Sequence, residues 1–183
     1  ANAPHYRYEP GNRLHLSWSV RCCRAIGWLW RYQVLTISPD ILCRGFAAFA
    51  QTAQSSRVCR AIHEAFGAPI DDTFLRLEYA LDVDGFWLEP HTDLGVKKFT
   101  CLVYLTEGHD DLGTDIYRSK DEHFGRTPFR PGAAMIFVPS DRSWHGFEKR
   151  PIKGVRRSMI LNYVTREWRA REQLSFPDET VRI

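Results

Sequence analysis

Three side chains have the types and spacing to hold a metal ion: His91 and Asp93 in Pro90-His91-Thr92-Asp93, and His145 in Trp144-His145-Gly146. The first two stand two apart at the end of a predicted strand, where alternation sends both side chains to one face of a sheet. His145 belongs to a late strand that follows the apolar run Ala134-Met135-Ile136-Phe137-Val138. Two imidazoles and one carboxylate leave coordination positions open, which suits iron(II) that must admit a co-substrate and O2. A closed structural zinc site needs a fourth ligand, and the pattern offers none. Taken alone, His-x-Asp is weak, because a solvated histidine beside an acidic turn is its ordinary reading.

The elements that must position these residues begin at Thr73. From there the sequence breaks into short β-branched and aromatic runs separated by Gly, Asp and Pro, the texture of antiparallel strands. Strands are predicted at Phe74–Ala80, Phe86–His91, Phe99–Thr106, Thr114–Tyr117, Ala133–Val138, Trp144–Phe147 and Val155–Val164, with a weaker one at Glu122–Gly125. That series approaches the eight strands of a double-sheet roll. The fold class is therefore mainly β (α+β): a double-stranded β-helix, or jelly roll, with supporting N-terminal helices.

Upstream, Ser38-Pro39-Asp40 supplies an N-cap, an N1 proline and a first-turn acid for a helix running through Phe49. A second helix is expected over Ser55 to Phe66, where Val58, Ile62, Ala65 and Phe66 recur at helical spacing before Gly67. Trp18, Trp28 and Trp30 show no period and read as core aromatics. With 183 residues, no internal repeat and no low-complexity linker, one domain is expected over 1–183. Its parts are helical or mixed support at 1–72, a jelly-roll core at 73–165 and a C-terminal tail at 166–183.

A formal charge of +3 gives no electrostatic footprint for nucleic acid or an anionic membrane. No apolar run approaches the roughly 20 residues needed to span a bilayer. Five cysteines without paired spacing indicate neither a disulfide framework nor a zinc ribbon, and reduced thiols in a cytoplasm are the simplest account.

Arg156-Arg157-Ser158 opens a strand shortly after His145, and alternation places Arg156 and Ser158 on one face with Ile160 and Asn162. A guanidinium and a hydroxyl there could clamp a dicarboxylate, or the segment could be an exposed basic edge beside Lys149, Arg150 and Lys153. Tyr79 and Tyr104 could each be an ordinary core tyrosine. Taken together, Leu77-Glu78-Tyr79, Pro90-His91-Thr92-Asp93, Thr100 to Thr106, Leu112-Gly113-Thr114-Asp115, Trp144-His145 and Val155-Arg156-Arg157-Ser158 resemble the prolyl-hydroxylase-like branch of the 2-oxoglutarate/iron(II) oxygenases. The resemblance spans residues 74 to 164, and the order of several motifs makes it more specific than any one.

It implies that His91, Asp93 and His145 bind iron(II), and that Arg156, Tyr104 and Ser158 hold the distal carboxylate of 2-oxoglutarate with Tyr79 nearby. O2 would be consumed, with ascorbate as a stimulant, and the co-substrate decarboxylated to succinate and CO2 as an unactivated carbon of a small-molecule or peptidyl substrate is hydroxylated. The carboxylate at Asp93 favours hydroxylation over halogenation, because related halogenases carry a small residue there. The chain departs from the family at Leu112-Gly113, where two glycines are common. Substrate contacts are expected among Glu89, Trp87, Asp115, Tyr117 and Asn162. A nucleic-acid substrate is disfavoured, since a basic groove with stacking aromatics is not evident. The rival reading is a non-catalytic cupin-like metal- or sugar-binding module on the same roll, in which Arg156 has no role.

Overall fold

The structure is a computed structural model, which describes residues 6–9, 13–17, 39–93, 95–108 and 110–183. Among the described residues ten strands form two sheets: β1 (Tyr6–Glu9), β2 (Arg13–Ser17), β3 (Phe74–Asp82), β4 (Leu88–His91), β5 (Lys97–Tyr104), β6 (Asp115–Ser119), β7 (Glu122–Arg126), β8 (Ala134–Phe137), β9 (His145–Phe147) and β10 (Arg156–Val164). The larger sheet has the order β1-β2-β3-β10-β5-β8 and the smaller β4-β9-β6-β7, with every pair antiparallel. All eight strands expected after residue 73 are present, and their two-sheet order is that of a jelly roll.

The hairpin of β1 and β2 was not expected in a segment read as helical or mixed. It extends the large sheet past β3, with Leu14 opposite Leu81 and Leu16 opposite Tyr79. The period-2 placement of Leu14 and Leu16 after Pro10-Gly11-Asn12 is a strand signal with a turn before it. Trp18, Trp28, Trp30 and the proposed cap Ser38 lie outside the described residues.

Helices α1 (Pro39–Gln54) and α2 (Ser56–Phe66) cover the outer face of the large sheet. Helix α1 runs five residues past Phe49, because Ala50 and Ala53 continue its apolar stripe and are buried. Ser55 separates the helices, capping Val58 N–H, and Gly67 ends α2 at φ 63° with its N–H donating to the His63 carbonyl. A side chain at that left-handed position would be strained. Leu75, Leu77, Phe99, Leu161 and Tyr163 meet the helices on this outer face, and the Tyr163 hydroxyl donates to the Ala53 carbonyl at 2.7 Å.

A second core lies between the sheets, where Leu102, Tyr104 and Met135 pack against Phe147, Leu112 and Phe129. The chain after β10 folds back on β3: Ser175 N–H donates to Leu75 O and Val181 N–H to Thr73 O, burying Leu174 and Val181 completely. Among the described residues no helix is long and apolar enough to cross a membrane.

Candidate metal centre and buried polar row

His91 closes β4 and His145 opens β9, and the two stand directly opposite in the ladder joining those strands. Their rings lie 4.3 Å apart between centroids. Asp93 arrives differently from the strand-alternation argument. It lies beyond the end of β4 at φ 60°, a left-handed conformation that Asp tolerates better than most residues. That turn brings its carboxylate back between the histidines: His91 Nε2 is 3.3 Å from Oδ1, and His145 Nε2 is 3.7 Å from Oδ2.

Each histidine is aimed by its other nitrogen. His91 Nδ1 lies 2.8 Å from the Glu89 carbonyl and His145 Nδ1 2.8 Å from the Ser143 carbonyl. A carbonyl can only accept, so each Nδ1 carries a proton, and in the neutral imidazole that leaves the lone pair on Nε2. The Ser143 hydroxyl also donates to Thr92 O at 2.8 Å, tying together the loops that carry Asp93 and His145. The three ligand atoms lie within 4.8 Å of one another. Burial, reinforced by the nearby His91, pushes His145 down to about 4, so it stays neutral near pH 7 as a ligand must. Burial alone would raise Asp93, but His91, Lys97 and His145 outweigh it and hold the carboxyl far below its usual range. The donor set and its orientation fit a divalent metal with open positions.

Lys97 was not anticipated from the sequence. Its ammonium donates to Asp93 Oδ1 at 2.7 Å, and its only signal was a position four residues after the acid. Thr100, one rung inside the roll, reaches Asp93 Oδ2 at 3.5 Å and Asn162 Oδ1 at 3.0 Å.

Strand β10 carries a polar row on its inward face: Arg156, Ser158 and Asn162, all buried. Ser158 stands opposite Tyr104 on β5 and Asn162 opposite Thr100. The Arg156 guanidinium is held inside the protein by an ion pair with buried Asp82, by donation to Leu112 O at 2.7 Å, and by a longer contact to Thr114 Oγ1 at 3.4 Å. Phe147, Tyr104 and Phe129 surround it at 4.9, 5.3 and 5.6 Å from its central carbon. The Tyr104 hydroxyl binds Thr114 and Thr127. By contrast, Ser158 Oγ and Asn162 Nδ2 are buried with no hydrogen-bond partner among the described residues. Two orphaned polar atoms in one row with a guanidinium fit a polar ligand lying along β10, because such groups are normally satisfied.

The structure brings His91, Asp93 and His145 together, and Arg156, Ser158 and Tyr104 into one neighbourhood. It does not bring Tyr79 there. Tyr79 lies on the helix-facing side of β3, edge-on to Phe46 of α1, while Glu78, Ala80 and Asp82 take the inner side. Glu89 and Trp87 are exposed near His91. Asp115 is buried and accepts from Arg126, Arg150 and the Glu148 N–H at 2.7, 2.6 and 2.7 Å. His123 approaches the same carboxylate, and its ring meets Tyr117 edge-on. With two guanidiniums on it, the Asp115 cluster is an ion-pair hub, although Asp115, His123 and Glu148 also stand at metal-ligand spacing.

No family model and no curated protein matches this sequence. Among solved structures, the chain is similar to a prolyl-4-hydroxylase from Pseudomonas putida, with 15% identity over 90% of this chain and 77% of that one, at a TM-score of 0.53. It also matches a 2OG-Fe(II) oxygenase family oxidoreductase from Burkholderia pseudomallei, with 15% identity over 72% of this chain and 60% of the other, at 0.46. IDO from Bacillus thuringiensis aligns with 16% identity over 87% and 80%, at 0.44. Of these three, the first alone bears on the architecture, and it agrees with the jelly roll. At 15% identity the likeness establishes the fold and leaves the chemistry to the residues.

Proposed function

We propose that this protein is an iron(II)- and 2-oxoglutarate-dependent oxygenase that hydroxylates an unactivated carbon of a small-molecule or peptidyl substrate. The observation that carries the reading is the pair of histidines whose Nδ1 atoms are tied to backbone carbonyls, so that both Nε2 atoms turn toward the Asp93 carboxylate at metal-ligand spacing. His91, Asp93 and His145 would hold the metal. Iron, 2-oxoglutarate and O2 together would supply the oxidising power. Arg156 would pair with the distal carboxylate of the co-substrate, with Ser158 donating from the neighbouring rung. Leu102 and Phe147 are buried between the sheets, with Ile160 packed against that cluster. Glu89 on β4 and Trp87 just before that strand, both exposed, would meet a substrate at the mouth.

One observation favours a second reading, the non-catalytic cupin-like module. Arg156 already has an internal counter-ion in Asp82, so its charge does not require a ligand. Both readings predict metal binding, and only the first predicts co-substrate chemistry. Purified protein given iron(II), ascorbate and 2-oxoglutarate is expected to release succinate slowly without substrate, and the Mn(II)-loaded protein to bind 2-oxoglutarate by calorimetry. If the metal binds while both signals are absent, the oxygenase reading is wrong and the binding module stands.

A further inference from the structure

We propose that Ser143 is a positioning residue whose hydroxyl locks the turn at Asp93 to the turn that delivers His145, so that the carboxylate is aimed before a metal arrives; this rests on the metal-centre part of the reading above. The ladder of β4 with β9 sets His91 directly against His145 and goes no further. Asp93 lies two residues beyond it, so strand pairing does not fix the third candidate ligand. Ser143 reaches both sides of that gap. Its carbonyl accepts from His145 Nδ1 at 2.8 Å, and its hydroxyl donates to the Thr92 carbonyl, also at 2.8 Å.

The Thr92 carbonyl belongs to the peptide plane from which the φ of Asp93 is measured. A bond that holds this plane therefore holds Asp93 at φ 60°, a left-handed conformation that L-residues leave readily when nothing restrains them. The hydroxyl is itself held by the turn at residues 140–143: it accepts from Ser140 N–H at 2.9 Å, and the Ser140 carbonyl lies 2.9 Å away as a second acceptor for its single hydrogen. Lys97 also grips Asp93, but it does so on Oδ1, one of the atoms that a cation would take. The bond to Thr92 is on the backbone, where it survives metal binding. Without it the metal must restore the turn at its own cost, and affinity falls.

A purely local role is the alternative, in which the Ser143 hydroxyl only closes its own turn. Ser140→Ala separates the two, because the Ser140 hydroxyl accepts from Arg142 N–H at 3.2 Å within the same turn and makes no bond to Thr92. The test measures Mn(II) affinity and the melting temperature of the metal-free protein for wild type, Ser143→Ala, Ser143→Thr and Ser140→Ala. Ser143→Ala should weaken Mn(II) binding roughly 10- to 100-fold, the range for loss of a group that orients a ligand. Its melting temperature should fall by no more than about 6 °C, the effect of one hydrogen bond in a chain of this size. Ser143→Thr keeps the hydroxyl and should return Mn(II) affinity to within about threefold of wild type. Ser140→Ala should lower the melting temperature similarly and leave Mn(II) affinity within about twofold. Unchanged affinity in Ser143→Ala, no rescue by threonine, or an equal loss in Ser140→Ala overturns the proposal. If the alanine variant fails to fold, Ser143→Cys, with a weaker donor, is judged by the same split between affinity and melting temperature. If wild type itself binds no Mn(II), the metal-centre reading fails; if wild type binds it and Ser143→Ala binds equally well, only this assignment does.

Discussion

The two ends of the interior polar region are built on opposite terms. At the mouth, the Nε2 atoms of His91 and His145 and the Asp93 carboxylate converge at metal-ligand spacing, with the Lys97 ammonium and the Thr100 hydroxyl also on that carboxylate. At the inner end, Arg156 is enclosed by Asp82, the Leu112 carbonyl and three aromatic rings. The first arrangement is open to an external cation; the second already holds a counter-ion inside the protein.

The largest effect that could break this contrast is at the inner end. Arg156→Met leaves Asp82 buried beside an apolar side chain, and breaking a buried pair in this way costs about 3–5 kcal/mol. Urea unfolding of the metal-free protein should show that loss; a variant as stable as wild type would mean that the ion pair is not part of the folded framework. Next in size is the loss of a ligand. His145→Ala should weaken Mn(II) binding beyond the roughly 10- to 100-fold that removal of an outer-shell partner costs, while costing less stability than Arg156→Met. If it unfolds the protein to the same degree, the two ends are not built differently. Smallest is Lys97→Met. The Lys97 ammonium competes with an incoming cation for Asp93 Oδ1, and a partly exposed pair is worth about 0.2–1 kcal/mol. Its removal should therefore tighten Co(II) or Mn(II) binding by roughly 1.5- to 5-fold, read by metal titration; weaker binding would show that Lys97 supports the site instead of opposing the metal.

The core strands were legible because each is a short apolar or aromatic run bounded by turn residues, and pattern alone locates such runs. The candidate metal ligands were legible by type, since His-x-Asp followed by a late histidine on a strand supplies two imidazoles and a carboxylate. The interior was harder to read. On β3 the apolar residues Leu75, Leu77 and Tyr79 face the helices, while Glu78 and Asp82 take the opposite face, and Arg76 on that face meets Trp168 and Gln173 of the chain after β10. Both faces of the strand are buried and the polar one is the more central, so a rule that puts hydrophobes innermost assigns the parity backwards. Tyr79 was expected beside the co-substrate by resemblance alone, and the strand's parity puts it on the helix-facing side. The ion pair of Asp82 with Arg156 was illegible for a different reason: its members are 74 residues apart, and only the strand register makes them neighbours. Lys97 had the weakest signal, because its role depends on the left-handed turn at Asp93.

Strand β10 lies between β3 and β5, and neither of those strands pairs with the other. It is also the last strand of the described chain. A ribosome therefore exposes β3 and β5 as two separate open edges for about the whole length of the roll before the strand that joins them emerges. Such edges invite pairing with the wrong partner, and contacts this far apart in sequence form slowly. Vectorial synthesis consequently delivers Arg156, Ser158 and Asn162 last, in the same event that closes the sheet. A nascent chain stalled before residue 156 has made all three candidate metal ligands and has no floor beneath them.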